Sequence, residues 1–155
     1  ELIATFRHER AAFDSLATML GEDRKIRFLD SYVLYLDRGD TANSYHQPGE
    51  STPGMPGERR DTYERLLRRI RVGRNVWADS SGIQFQQYVR KIGPDKDRWM
   101  RGYYYARQPL PAWAQIRETD LLADPTYATP PSGPSPLYRH LDGPWYLYSL
   151  RGYID

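Results

Sequence analysis

Few residues of this sequence have the types and spacing that metal binding or histidine catalysis requires. His8 and Glu9 lie on a predicted helix, but the zinc-protease pattern needs a second histidine four residues after the first, where Ala12 stands. His46 and His140 have no second ligand at a zinc-binding spacing. The sequence therefore predicts no metal site and no catalytic histidine.

Motifs for covalent catalysis and for nucleotide binding are absent as well. The chain has no cysteine, which excludes a thiol nucleophile, a thiolate metal site and a disulfide. No pair of glycines fits a phosphate-binding loop, and Ser80 and Ser81 belong to a predicted turn rather than to a nucleophile elbow. We predict no cofactor and favour a protein that is not an enzyme, although a triad of distant residues leaves no sequence pattern.

Two carboxylates have neighbours that suit acid–base chemistry. Asp30 and Asp79 lie on or beside apolar strands, where burial would favour the protonated acid. An ion pair between each carboxylate and one of the many arginines is the alternative, and we favour it because buried acids are usually paired.

An alternation of aromatic and basic residues is the strongest functional signal. In the predicted strand 98–107, one face (the Met100 face) carries Met100, Gly102, Tyr104 and Ala106, and we expect it to be core. The opposite face (the Trp99 face) carries residue types that are enriched in protein interfaces. With two residues from the preceding strand, it forms a predicted partner-binding surface of Tyr88, Arg90, Trp99, Arg101, Tyr103 and Tyr105.

The register of the two strands follows from a four-residue turn at 93–96. It predicts five opposed pairs: Ile92 with Asp97, Arg90 with Trp99, Tyr88 with Arg101, Gln86 with Tyr103, and Gln84 with Tyr105. A recognition surface requires Trp99 and Tyr103 to be partly exposed. The alternative is that one of the chain's own helices covers this face.

A basic helix is predicted over residues 56–72. Seven arginines lie between Arg59 and Arg74, with three acids among them, Glu58, Asp61 and Glu64. Such a helix can lie on phosphates, or it can be a solvated face held by salt bridges. The net charge of the whole chain is only +2, so we predict no nucleic-acid partner.

The remaining elements predict an α+β fold. Apolar spacing indicates a helix over 2–20 whose buried face holds Phe6, Phe13, Leu16 and Leu20. Strands are predicted at 25–36, 76–79, 83–92, 98–107, 137–141 and 145–150, the last two joined by a hairpin at Asp142-Gly143. Loops are predicted at 39–57 and 124–136, and a short helix at 112–122. We expect an antiparallel sheet, a meander plus the C-terminal hairpin, packed against both long helices.

The size and composition suit a single domain over residues 1–155, with 39% apolar residues. No apolar stretch reaches the roughly 18 residues of a membrane helix, so we predict no transmembrane segment. The sequence starts at Glu1 rather than at methionine, and we expect that a signal sequence, a lipoprotein leader or another upstream segment precedes it. No pattern indicates the oligomeric state.

The two ends of the chain, FRHERAAF at 6–13 and DGPWYLY at 142–148, resemble small uncharacterised exported or lipid-anchored proteins of Gram-negative bacteria. Such proteins include immunity proteins that block a toxin delivered by a type VI secretion system. The resemblance implies a protein partner and a periplasmic or cell-envelope location, with a cytoplasmic one still open. It carries over no functional residue.

A second likeness is topological. The order of helix, strand, helix and meander is similar to NTF2-like and cystatin-like folds, in which a sheet wraps around a helix. This likeness implies the alternative function of a small-ligand-binding protein or an enzyme, with a pocket between the sheet and the first helix.

Overall fold

A computed structural model describes residues 1–24, 26–30, 34–38, 41–46, 56–72, 75–92, 97–116 and 136–153. Across these residues the fold is α+β, as predicted. Its helices are α1 (Leu2–His8), α2 (Arg10–Glu22) and α3 (Gly57–Arg69). Its strands are β1 (Ile26–Asp30), β2 (Leu34–Arg38), β3 (Thr41–His46), β4 (Asn75–Ala78), β5 (Gly82–Lys91), β6 (Asp97–Ala106), β7 (Gln115–Ile116), β8 (Leu137–Asp142) and β9 (Trp145–Tyr153).

Contacts group the chain into an N-terminal unit, Glu1–Asp79, and a C-terminal unit, Ser80–Asp155. Each unit has its own strands and its own buried side chains. The expectation of a single domain stays a prediction.

The first predicted helix is broken at Glu9. The backbone of Glu9 leaves the helical conformation at ψ 18°, so two helices replace the single helix expected over 2–20. The Glu9 carboxylate, which interrupts the apolar face, forms an ion pair with Arg69 of α3. The break and the ion pair together keep this acid out of the apolar face.

The apolar face of the first two helices is buried as predicted, including Phe6, Phe13, Leu16 and Leu20. The rings of Phe6 and Phe13 are 5.3 Å apart between centroids, so the apolar face continues across the break. In α3, Tyr63 and Leu67 are buried.

The sheet of the N-terminal unit differs from the prediction in two places. The expected single strand over 25–36 is an antiparallel pair, β1 and β2, and part of the expected loop at 39–57 forms β3, which pairs with β2. The strand order is β3-β2-β1-β4. β4 buries Val76 and Ala78 and leaves Trp77 48% exposed, in the alternation typical of a strand with one buried face.

The sheet of the C-terminal unit has the order β5-β6-β9-β8-β7, and its meander and C-terminal hairpin match the prediction. The hairpin turns at Gly143 and Pro144, where Gly143 has a φ of +53° that side chains disfavour. The helix expected at 112–122 is absent from 112–116, which form a turn and β7. The expected turn at 93–96 and all of the expected loop at 124–136 except Pro136 lie outside the described residues.

A β-bulge at Gln87 changes the register between β5 and β6. Arg90 lies opposite Trp99 and Tyr88 opposite Arg101, as predicted. Beyond the bulge the prediction is wrong: Gln86 lies opposite Gly102 and Phe85 opposite Tyr103, with Gln84 opposite Tyr104 and Ile83 opposite Tyr105. The extra residue reverses which side chains of β5 share a face with those of β6.

The reversal moves the main core of the C-terminal unit to the Trp99 face. Ile83 and Phe85 join Tyr103 there, and β9 contributes Trp145 and Leu147 at the opposed positions. All five side chains are fully buried. The expectation that this is the outer face of the sheet is therefore wrong at its centre.

Truncating Phe13 tests the core of the N-terminal unit. Because the side chain is completely buried, Phe13→Ala should lower the free energy of unfolding by about 3–5 kcal/mol, measured by urea denaturation. The matched control is Thr18→Ala on the exposed side of the same helix, which should unfold at or above the wild-type midpoint. Equal midpoints for both variants would contradict the assignment.

Adding a methyl group at Gly102 tests the bulge. A Cβ there would overlap the carbonyl oxygen of Phe85. Because this oxygen belongs to the backbone, the overlap can be relieved only if one of the two strands moves. Gly102→Ala should therefore cost about 1–3 kcal/mol of stability or more. Gly21→Ala in α2, where a Cβ meets nothing, should leave the stability unchanged or raise it. A thermal midpoint of Gly102→Ala at the wild-type value would contradict the register.

Candidate functional site

The predicted partner-binding surface does not form one exposed platform. Trp99 is 3% exposed and Tyr103 is fully buried, so the expected partial exposure of both is wrong. The physical reason is the apolar area of Ile83 and Phe85, which the bulge turns to this face and which burial stabilises. Tyr105 is half-buried and meets the edge of Trp145, with ring centroids 5.0 Å apart.

Three residues of the predicted surface, Tyr88, Trp99 and Arg101, do form a cluster. The guanidinium carbon of Arg101 lies 4.2 Å from the ring centroid of Tyr88 and 4.4 Å from that of Trp99. The indole Nε1 of Trp99 donates to Ser149 Oγ at 3.0 Å. Arg90, opposite Trp99, is exposed. The two rings hold the Arg101 cation by cation–π attraction, which does not neutralise its charge.

An ion pair fixes the end of the same face. Both Nε and Nη2 of Arg151 donate to Asp97 Oδ2, at 2.9 and 2.6 Å. Asp97 is buried and begins β6, while Arg151 lies on β9 and remains partly exposed. Because a buried carboxylate needs a cation, this pair holds the ends of the two strands together.

The Met100 face carries a second apolar cluster of Met100, Tyr138 and Tyr148. Leu110 and Ala114 pack against it from the segment that follows β6. The Nε2 of Gln86 lies 3.3 Å from the Met100 sulfur on the same face. Both faces of this sheet therefore have a core, which explains the high aromatic content of its strands.

A short turn that rests on this second cluster presents an exposed tryptophan. The backbone N–H of Ala114 donates to the Pro111 carbonyl at 2.8 Å, which closes the turn 111–114 (the Trp113 turn). Trp113 is 63% exposed, and Pro111 and Ala112 are exposed beside it. Sequence reasoning missed Trp113; the available signal was a tryptophan that closely follows the two prolines Pro109 and Pro111.

The basic helix α3 is held to the end of α2 by charge. Arg59 Nε donates to Asp23 Oδ2 at 2.6 Å and its Nη2 donates to Glu22 Oε2 at 2.6 Å. The Tyr63 hydroxyl also donates to Asp23 Oδ2, at 2.7 Å. Arg68 pairs with Glu64 within the helix. These contacts are the salt-bridged arrangement that we favoured for the arginines of this helix.

The pKa values of two groups in this network are displaced. Burial, strengthened by the hydrogen bond to Asp23, raises the pKa of the Tyr63 phenol far above its ordinary value near 10. Hydrogen bonds to Asp23 and Glu22 raise the pKa of Arg59 further above its usual range. At neutral pH Tyr63 is therefore a neutral phenol that donates its proton to Asp23 in a hydrogen bond, and Arg59 is a guanidinium cation.

The other sequence candidates do not converge on a site. Asp79 is exposed, so the burial that its acid–base role requires is missing, and the Asp30 side chain lies outside the described residues. The Nε2 of His140 is 2.9 Å from the Gly143 carbonyl in the hairpin, and His8 is exposed. In the part of the chain that the structure describes, no group of three or more acidic or histidine side chains is arranged to hold a metal ion.

A cavity of about 50 Å³ lies beside α3, lined by Glu64, Leu67, Arg68 and Val72. Ligand-binding pockets usually measure about 300–1,000 Å³, so this cavity does not accommodate a typical small-molecule substrate.

Comparisons of the chain with protein-family models, with curated proteins and with solved structures found no match. Within the described residues, none of the helices has the length and apolar character needed to cross a membrane.

Replacing Tyr63 by phenylalanine tests the raised phenol pKa. Above about pH 10 the Tyr63 phenol ionises in the unfolded chain but stays protonated in the folded chain. The contribution of Tyr63 to the free energy of unfolding is therefore complete below about pH 10 and falls above it. Between about pH 10 and 11, the stability advantage of wild type over Tyr63→Phe should shrink by about 1 kcal/mol. Urea denaturation at each pH measures the difference in free energy of unfolding between the two proteins. The ionisation of the other tyrosines does not affect this difference, because both proteins contain them. A constant difference across this range would contradict the assignment.

Proposed function

We propose that this chain is a non-enzymatic domain that binds a protein partner. The observation that carries the proposal is Trp113, a large apolar side chain held in water at 63% exposure. Tryptophan is among the residue types most enriched in the energetic centres of protein interfaces, because it buries a large area and keeps a polar N–H.

The position of Trp113 favours recognition. The flanking residues Leu110 and Ala114 pack against the second apolar cluster, and the hydrogen bond to Pro111 closes the turn. A turn whose backbone is already ordered loses little conformational entropy on binding, so more of the free energy of burying Trp113 appears as affinity. The Trp113 turn therefore has the properties of a rigid anchor.

We also propose the class of the partner. The resemblance of residues 6–13 and 142–148 to exported and lipid-anchored proteins of Gram-negative bacteria supports an immunity protein. Its partner is then a toxin delivered by a type VI secretion system, met in the periplasm. A toxin gene beside the gene for this chain is the expected genomic arrangement.

Substitution of Trp113 tests the proposed function directly. Binding of the purified product of the adjacent gene is measured by titration calorimetry with wild-type protein and with Trp113→Ser. An interface anchor contributes about 2 kcal/mol or more, so the dissociation constant should rise by about thirtyfold. The variant should keep the wild-type thermal midpoint, because the side chain is exposed.

Trp77→Ser is the matched control, since Trp77 is also exposed but lies on β4 of the N-terminal unit. It should bind within about twofold of wild type. Wild-type affinity of Trp113→Ser, or equal losses in both variants, would rule out the Trp113 turn as the anchor.

A further inference from the structure

A row of four opposed residues crosses the strands of the C-terminal unit on the Met100 face. Gln84 of β5 lies opposite Tyr104 of β6, Tyr104 lies opposite Tyr146 of β9, and Tyr146 lies opposite His140 of β8 (the Tyr146 row). The first three of these residues are half-buried and His140 is exposed. The row therefore reaches the protein surface along its whole length.

The rings of the row are held at an angle to one another. The ring centroids of Tyr146 and His140 are 5.2 Å apart, and the two ring planes are inclined at 61°. Tyr138, which is buried, meets Tyr146 at 6.1 Å and 76° and Tyr104 at 5.3 Å and 50°. Inclined rings enclose angled gaps, so the row is not one flat platform.

The Tyr146 row and the Trp113 turn rest on the same support. Tyr104 and Tyr146 pack against the second apolar cluster, and Leu110 and Ala114, on either side of Trp113 in the chain, pack against it as well. The row and the turn therefore share one face of the sheet, and the row extends the surface of the proposed anchor.

Neither the row nor the turn presents a charged side chain. The row contains no Asp, Glu, Lys or Arg, and residues 109–114 contain none either. A charged ligand would lose hydration at this surface without gaining a counter-charge. The surface therefore complements an uncharged segment.

The spacing of the row matches the repeat of a polyproline II helix. Neighbouring strands lie about 4.8 Å apart, so Tyr104 and His140, which are two strands apart, are separated by about 9.6 Å across the sheet. A polyproline II helix rises about 3.1 Å per residue with three residues per turn, so its side chains repeat on one side every 9.3 Å or about that. A segment in this conformation that lies across the strands can place two prolines at the two ends of the aromatic part of the row.

The ring geometry favours such a segment over a nucleic acid. Bases stack on open ring faces, and phosphates need cations. Here the rings of Tyr146 and His140 meet edge to face, and the row has no cation. A proline ring is compact and uncharged, and proline-rich segments bind surfaces lined by aromatic side chains.

The row also has hydrogen-bond donors for the backbone of a proline-rich segment. The carbonyl groups of a polyproline II helix make no internal hydrogen bonds, so they accept from a binding partner. The Gln84 amide and the Tyr146 hydroxyl are donors of the required kind, at two positions of the same row.

We propose that the Tyr146 row binds a proline-rich segment of the protein partner that Trp113 anchors. This inference rests on the proposed protein-binding function and adds the chemistry of the partner: an uncharged segment in the polyproline II conformation, lying across the strands. Because the contact joins uncharged groups, its strength does not depend on salt.

Fluorescein-labelled deca-L-proline is the probe, and fluorescence anisotropy measures its binding at low and at physiological salt. His140→Ser removes the exposed ring at the end of the row and should weaken binding about fivefold, which is the effect of losing one aromatic contact. His140→Phe keeps a ring at this position and should bind within about twofold of wild type.

His8→Ser is the matched control, because it makes the same change at an exposed histidine of α1. It should bind deca-L-proline within about twofold of wild type. Both serine variants should keep the wild-type thermal midpoint, since both side chains are exposed.

Three results would overturn the inference: no binding of deca-L-proline by wild type, equal losses in His140→Ser and His8→Ser, or tighter binding of a single-stranded DNA or a glycine–serine peptide of equal length. An affinity that falls as salt rises would also contradict a contact between uncharged groups.

The inference and the proposed function can fail separately. If deca-L-proline does not bind while Trp113→Ser still loses the protein partner, the proposed function stands and the proline-rich character of the partner is rejected. If deca-L-proline binds and Trp113→Ser keeps the protein partner, the row is a proline site and the Trp113 anchor is rejected instead.

Discussion

In β5, Gln87 has no opposed residue in β6, and the alternation of side chains reverses across it. Ile83, Phe85 and Val89 are separated by even numbers of residues, yet Ile83 and Phe85 lie on the opposite face of the sheet from Val89. A regular strand would place all three on one side. With the bulge, β5 supplies apolar side chains to both cores of the C-terminal unit.

This arrangement depends on a close backbone approach. Gly102 lies against the Phe85 carbonyl, where any side chain would push the two strands apart. The bulge also separates the regular pairing at Arg90 and Tyr88 from the shifted pairing beyond it. At the polar end of the sheet, where Arg101 contacts the rings of Tyr88 and Trp99, the pairing has the register predicted from the sequence. The apolar middle has the register shifted by one residue.

Local patterns predicted the α+β class, the buried helical face and the turn-proximal register, because each depends on residues close in the chain. The sequence-based predictions failed where contacts between residues distant in the chain determine the structure. An alternating sequence does not reveal a single bulge, so Trp99 and Tyr103 were predicted to be partly exposed, whereas both are buried. At the helix break, the Glu9 carboxylate pairs with Arg69, sixty positions away in the chain. Of the predicted surface, Tyr88, Trp99 and Arg101 do meet, but as a cation–π cluster rather than an open platform.

The four tryptophans divide evenly between two environments: Trp99 and Trp145 are buried, and Trp77 and Trp113 face solvent. Indole emission shifts to shorter wavelength when water leaves the ring, so we expect the buried pair and the exposed pair to contribute two components to the intrinsic fluorescence of this protein. Soluble quenchers such as acrylamide reach only the exposed pair. One member of that pair is the proposed anchor, so the chain contains its own optical reporter of complex formation, and removing Trp77 would leave that signal to Trp113 alone.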